Sequence, residues 1–243
     1  MPKLITCRGI GERFNAGVNM GDLLARELPN FQRVDVAYKS EYGPAGGRIL
    51  GQAFDLTLTE GTAMLRAELD KGPAVVAGYS AGAAIAGHVA AGGHPNLKAV
   101  ALVADPFQPT SASGFNGSWG VAGSRPILNN VPAKWVYNPN DMICQSKQNS
   151  PIRTIADQTA DLSLAAPGAW ALDLLFRWVH RKWQPINPPA SAFDVWNRYQ
   201  DGKNALEGYL FRGEHTAAYS QWPVQRGRTR ISVLADWVRE VGQ

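Results

Sequence analysis

The sequence predicts one α/β domain built on a largely parallel sheet covered on both faces, and three observations carry that expectation. Over the first 140 residues short β-rich runs alternate with helical stretches, which implies crossover connections between parallel strands. One such run, AVVAGYSAGAA at 74–84, passes through a serine between two glycines directly into an alanine-rich stretch. At 243 residues, with 45% hydrophobic and 18% charged side chains, the chain has the apolar material for a single core.

Taken in order, KLITC (3–7) is a strand ending at the turn RGIGE, and MGDLLARELP (20–29) is a helix stopped by Pro29. RVDVAYK (33–39) alternates apolar and polar residues and is expected as a strand. Ile49, Ala53, Leu56, Met64, Leu65 and Leu69 fall at helical intervals in a segment closed by Gly72. PAVVAG, SAGAAIAGHVAAGG and LKAVALVADP then give strand, helix and strand, and AKWVYN (133–138) one strand more. Between Asp105 and Ala133 lies a Gly, Ser, Asn and Pro-rich loop carrying Phe107, Phe115 and Trp119. Two readings stand for these aromatics: lining of an apolar groove, or anchors for a long loop.

From 152 to 211 the pattern turns helical with no strand. Trp170, Leu174, Leu175 and Trp178 share one face of a helix opened by Pro167 and ended by Pro185, and AFDVWNRYQDGKNALEGYLF follows the NPP turn at 187–189. The expected organisation is a single domain over 1–243 with a helical insertion, a cap or linker, at 146–211. The last element, RTRISVLADWVREVG, is an amphipathic helix with Ile231, Leu234, Trp237, Val238 and Val241 facing inward.

Several classes are set aside. MPKLITCRGIGERF has too short an apolar stretch before Arg8 for a signal peptide or membrane anchor, and no run of eighteen apolar residues occurs. Cys7 and Cys144 are too few for a disulfide framework and lack zinc spacing, so both are expected as free buried thiols. A net charge of +4 and a pI near 9.1 favour an anionic surface. The basic residues form no dense run with interleaved aromatics; RGRTR at 226–230 is short, and nucleic acid is not the expected partner. RGIGERFNAG does not complete a dinucleotide fingerprint, and no cofactor or metal is implied.

A turn from strand straight into helix strains the residue at its tip and lifts that side chain above the sheet, and it demands small residues two positions to either side. Gly78 and Gly82 meet that demand around Ser80. The tip also lies at a helix N-terminus, where the N–H of Ala81 becomes a candidate oxyanion donor. The bland reading is a helix-capping serine.

A serine hydroxyl needs a base, and there are four histidines. His88 lies well into the helix after the serine, His94 in a connection at the opposite end of the sheet, and His180 at a helix end rich in Arg and Lys. His215, in FRGEHTAAY, remains, and in the chain order Ser, Asp, His the base comes last. For the acid that orients it, Asp141 follows a strand in the turn NPND at the carboxyl end of the sheet; Asp105, in VADPF, is the reserve.

These residues resemble the cutinase-like branch of the α/β-hydrolases: CRGIGE resembles its Arg-Gly-x-x-Glu stretch, GYSAGA its Gly-Tyr-Ser-x-Gly-Ala elbow and NDMIC its acid loop, with HTAAY beyond. A long helical insertion between acid and base is similar to the lysin B proteins of mycobacteriophages and related phages, esterases that release mycolic acids from arabinogalactan. The resemblance implies an α/β-hydrolase sandwich, Ser80, Asp141 and His215 as catalytic residues, and the N–H groups of Ala81 and Ile10 as the oxyanion hole. It implies a long-chain acyl ester of the cell envelope, mycolyl-arabinogalactan, as substrate. The chain is expected to act as a monomer, to be made in the host cytoplasm without a signal peptide and to reach the envelope at lysis.

Three departures stand out. Ile10 replaces a hydroxyl residue, Ala81 replaces a glutamine, and Cys144 lacks a nearby partner, which fits a reducing compartment. Trp170, Trp178, Trp183 and Trp196 are candidates for the wall of an acyl site. The readings left open are this envelope esterase, a general cutinase-like or lipase-like carboxylesterase, and a catalytically silent envelope-binding module.

Overall fold

The computed structural model describes residues 1–43, 50–115, 117–160, 184 and 186–243. Its elements are β1 (Lys3–Cys7), α1 (Met20–Arg26), β2 (Gln32–Asp35), α2 (Phe54–Asp70), β3 (Ala74–Tyr79), α3 (Ala81–Gly92), β4 (Leu97–Val103), β5 (Ser118–Trp119), β6 (Ala133–Val136), β7 (Ser146–Lys147), α4 (Pro151–Thr159), α5 (Ala192–Leu210), α6 (Ala217–Ser220), β8 (Pro223–Gln225), β9 (Arg228–Thr229) and α7 (Arg230–Val241).

Five strands form one parallel sheet in the order β2-β1-β3-β4-β6. The central strand β3 is buried along its whole length and reads as an unbroken apolar run for that reason. Alternate residues point to opposite faces. Val76, with Ile5, Val100 and Leu102 of the neighbouring strands, packs under α2 and α3. Val75 and Ala77, with Leu4, Ala99 and Ala101, pack under α1 and α7. Three layers result, in the arrangement of an α/β-hydrolase, and the carboxyl ends of β3, β4 and β6 open toward one edge, where such sheets carry their ligands.

Four expectations need correction. The first helix ends at Arg26, three residues before Pro29, because the residue preceding a proline is pushed out of the helical region. The strand expected at 33–39 stops at Asp35: beyond it the carbonyls of Val36 and Tyr38 accept hydrogen bonds from the Arg8 guanidinium, and the backbone turns under that side chain. Leu56 is 59% exposed, so the buried face of α2 runs instead through Phe54, Leu58, Leu65 and Leu69. Two small antiparallel ribbons, β5 with β7 and β8 with β9, escaped the sequence because each pairs only two or three residues.

RGRTR forms the turn between β8 and β9 and the start of α7. Arg228 pairs with Asp236, and Arg230 donates to the carbonyls of Tyr137 and Ala218, so part of this basic run holds the C-terminal helix in place. In α7, Ile231, Leu234, Ala235 and Val238 are buried, with Trp237 and Val241 packed at the margin. The stretch between Asp141 and His215 contributes α4 and α5, and Tyr42 Oη meets Thr159 Oγ1 at 2.8 Å, joining α4 to the body of the domain. Ile49 and the expected helix carrying Trp170, Leu174, Leu175 and Trp178, with His180 and Trp183, lie outside the described residues. Among the described residues no helix is long and apolar enough to cross a membrane.

At the tip of the β3–α3 turn, a Cβ on Gly78 would lie 2.1 Å from the Gly82 carbonyl oxygen, and one on Gly82 would lie 2.1 Å from the carbonyl oxygen of Cys7. Neither contact has a flexible side chain that can yield. Gly82→Ala is expected to lower the unfolding free energy by about 1–3 kcal/mol or more, as overpacked cores do, with urea denaturation as the measurement; an unchanged midpoint contradicts the close approach.

Candidate active site

Ser80 sits at this tip with φ 55° and ψ −118°, a conformation that only a constrained turn imposes on a side-chain-bearing residue. It is held from both directions. Its N–H donates to Val103 O on β4 (2.9 Å), and its carbonyl accepts from the N–H groups of Ala83 and Ala84 (2.9 and 3.1 Å) at the start of α3. The side chain is lifted above the sheet, and Oγ lies 2.9 Å from His215 Nε2.

His215 Nδ1 lies 2.8 Å from Asp141 Oδ2, which fixes the ring so that Nδ1 carries the proton and Nε2 is free to accept from the serine. Asp141 is fully buried and receives two further donors, Ile143 N to Oδ1 (3.0 Å) and the Tyr219 hydroxyl to Oδ2 (2.7 Å). Burial and the adjoining Asp141 carboxylate push the Tyr219 phenol well above its ordinary range, so it stays a donor. The serine, histidine and aspartate chosen from the sequence are thus brought into one hydrogen-bonded chain from the ends of β3 and β6 and the loop before α6.

Two aromatic rings pack against the imidazole. Tyr79 stacks on it at 5.2 Å between centroids, Tyr209 of α5 packs at 5.0 Å, and Tyr79 Oη also donates to the His215 carbonyl. Behind it, Asn138 donates to the Glu214 carboxylate (2.6 Å) and carbonyl (2.9 Å), pinning the histidine loop to the end of β6. Tyr79, Asn138, Tyr209, Glu214 and Tyr219 carry this support, and sequence reasoning assigned roles to none of them. Tyr79 and Tyr219 lie inside the GYSAGA and HTAAY motifs, which is the one signal that marks them.

The loop RGIGE brings Ile10 to the serine. Glu12 accepts from Gly9 N and Met20 N, each at 2.7 Å, while Arg8 donates to the Glu12 carbonyl (2.8 Å) and to the edge carbonyls beyond β2. Burial pushes the Glu12 carboxyl up, and these N–H donors and Arg8 pull it back. Ile10, Ser80 and Ala81 border one cavity of about 370 Å³. Ala81 is the first residue of α3, where N–H groups have no partner within the helix.

The remaining candidates lie elsewhere. Asp105 is buried against Arg125 (2.6 Å), Trp135 Nε1 (3.2 Å) and Phe107 N (3.0 Å), so it braces the loop after β4 rather than any histidine. His88 meets Arg125 across 2.7 Å, and His94 pairs with Asp70 at 3.1 Å. Of the loop aromatics, Phe107 borders the cavity beside Ser80, Trp119 lies beneath the Arg153 guanidinium at 4.0 Å, and Phe115 is exposed. Both readings of those aromatics therefore apply, to different residues. Trp196 stands exposed on α5 beside Tyr199 and does not border the cavity, because its face of the helix turns away from it. Cys7 and Cys144 are free and buried, and burial raises both thiols far above their usual range.

Fold and geometry together define an α/β-hydrolase fold whose elbow serine is joined to a buried histidine and aspartate. No protein-family model and no curated protein matches the chain. Among solved structures it is similar to lysin B from Mycobacteriophage D29, with a TM-score of 0.60 at 15% identity over 98% of this chain and 99% of that one. Lesser likenesses are the catalytic core of an acetyl xylan esterase from Trichoderma reesei (TM-score 0.47, 18% identity, 65% of this chain and 95% of that one) and a cutinase-like protein from Cryptococcus sp. (0.41, 16%, 76% and 96%).

Burial, with the Arg125 charge adding to it, pushes His88 down from 6.5 to about 4. The folded state therefore favours the neutral ring: its contribution to stability is complete above the unfolded value of 6.5 and is lost as the pH falls toward 4. Urea unfolding between pH 7 and 4 is expected to show a fall in stability that is smaller in His88→Gln; identical slopes in the two proteins contradict it.

Proposed function

We propose that this chain is a serine esterase that hydrolyses the ester joining mycolic acids to arabinogalactan in a mycobacterial-type envelope. One observation carries the esterase reading: Ser80 Oγ, His215 Nε2 and Nδ1 and Asp141 Oδ2 lie in a single chain of 2.9 and 2.8 Å contacts at a helix N-terminus. The likeness to a lysin B over 98% of this chain supports the envelope substrate.

In this mechanism Ser80 gives its proton to His215 Nε2 as Oγ attacks the ester carbonyl carbon, and Asp141 stabilises the imidazolium that forms. The N–H groups of Ala81 and Ile10 hold the oxyanion. The C–O bond to the alcohol breaks, the departing oxygen takes the proton from Nε2, and an acyl-serine remains. Water then gives a proton to Nε2 and attacks the acyl carbon, Oγ recovers that proton, and the acid leaves. Rigid support of the imidazole keeps it within reach of both oxygens.

A fluorophosphonate is expected to label Ser80 stoichiometrically, with labelling lost in Ser80→Ala and His215→Ala; absence of labelling in the folded wild type overturns the esterase reading and favours a silent envelope-binding module. Release of free mycolic acid from purified mycolyl-arabinogalactan tests the substrate. Cleavage of p-nitrophenyl esters without that release points to a general carboxylesterase. Tyr219→Phe removes one donor from Asp141 and is expected to lower kcat by about tenfold or more, the worth of a hydrogen bond to a charged group; an unchanged kcat removes Tyr219 from the supporting set.

A further inference from the structure

Two cavities meet at Ser80, and they differ in chemistry. The first, about 370 Å³, is walled by Phe54, Phe107, Val121, Ile143, Ile152 and Ile155, an apolar surface between the sheet's carboxyl edge and α4. The second, about 940 Å³, lies between residues 11–23 and 216–221, and its walls mix Arg13, Thr216 and Gln221 with Val18, Leu23 and Leu210. Ile10, Ser80 and Tyr209 border both.

His215 borders only the second cavity. That asymmetry orients the substrate. The group that leaves in the first step must take its proton from Nε2, so the alcohol oxygen has to stand on the histidine's side of the serine, and the acyl chain must run the other way. Resting on the esterase reading, we infer that the ester straddles Ser80 with its acyl chain in the apolar cavity beneath α4 and a polyhydroxylated alcohol in the wider groove of mixed polar and apolar lining. A glycosyl unit suits that groove. Its volume lies near the top of the roughly 300–1,000 Å³ that ligand sites span. Its walls carry the exposed Arg13 guanidinium, Gln221 amide and Thr216 hydroxyl beside apolar side chains such as Val18 and Leu210, a mixture that matches the hydroxyl groups and C–H faces of a sugar ring, and a plain alkyl alcohol leaves the polar groups unmatched. Tyr209, packed on His215, stands where the two arms diverge.

The test compares 6-O-octanoylglucose with ethyl octanoate, which share an acyl chain, and adds the corresponding dodecanoyl pair. Ala16→Trp and Gln221→Trp fill the groove from two exposed loops; Ile155→Trp narrows the apolar cavity. The wild type is expected to favour the glucose ester, and either groove variant to lower the glucose-to-ethyl ratio of kcat/KM by about tenfold, a typical discrimination for a single pocket contact. Ile155→Trp is expected to change the dodecanoyl-to-octanoyl ratio equally for both alcohols. A groove variant that alters chain-length preference, or an Ile155→Trp that alters alcohol preference, reverses the assignment. Ratios unmoved in both groove variants overturn it, while the wild type remains an esterase. Hydrolysis of none of the esters by the wild type overturns the esterase reading and this inference with it.

Discussion

The close crossing of three backbone segments, at Gly78, Gly82 and the end of β1, is the constraint on which the site depends. Missing side chains at the two glycines let α3 begin directly against the carbonyl of Cys7. That contact leaves Ser80 no relaxed conformation. Strain of this kind costs on the order of 1–3 kcal/mol and survives because surrounding bonds over-determine it. Here those bonds are the ladder to β4 and the first turn of α3. The same crossing sets the RGIGE loop beside the serine, so one steric fact places both the side chain and the backbone that faces it.

Around that fixed point the electrostatics are arranged in depth. Asp141 is out of water and gathers three donors, of which His215 is one, so its negative charge is spread over a rigid set of partners. The histidine in turn packs against Tyr79 and Tyr209, and its loop is tied through Glu214 to Asn138. An imidazole packed against two rings and bonded at both nitrogens has few orientations to lose when a substrate arrives. The buried pair Asp105 and Arg125 does a different task, bracing the loop that carries Phe107 to the cavity.

What the sequence revealed follows from which features are local. Strands β1, β3 and β4 were legible because buried parallel strands are apolar runs between turns, and Ser80 because its turn chemistry spans only five residues. Asp141 could be chosen by where it falls relative to a strand end, and His215 by elimination of the other histidines and by the chain order Ser, Asp, His. The end of β2 was not legible, since Arg8, far from it in sequence, takes the carbonyls that a longer strand would use. Nor was the company around the triad: a tyrosine such as Tyr219 has the same pattern whether it fills a core or donates to a buried carboxylate. Trp196 shows the converse, an aromatic at helical spacing that faces outward.

The order in which these parts occur along the chain has a temporal side. Ser80 and its strained turn belong to the first third of the polypeptide, whereas His215 and the α7 helix that packs behind its loop belong to the last. A chain still emerging from the ribosome has the serine but neither the imidazole that lies beside it nor the α7 side chains that cover one face of β3. On the proposed mechanism, Ser80 is therefore without its base until synthesis has passed residue 215 and the C-terminal segment has docked.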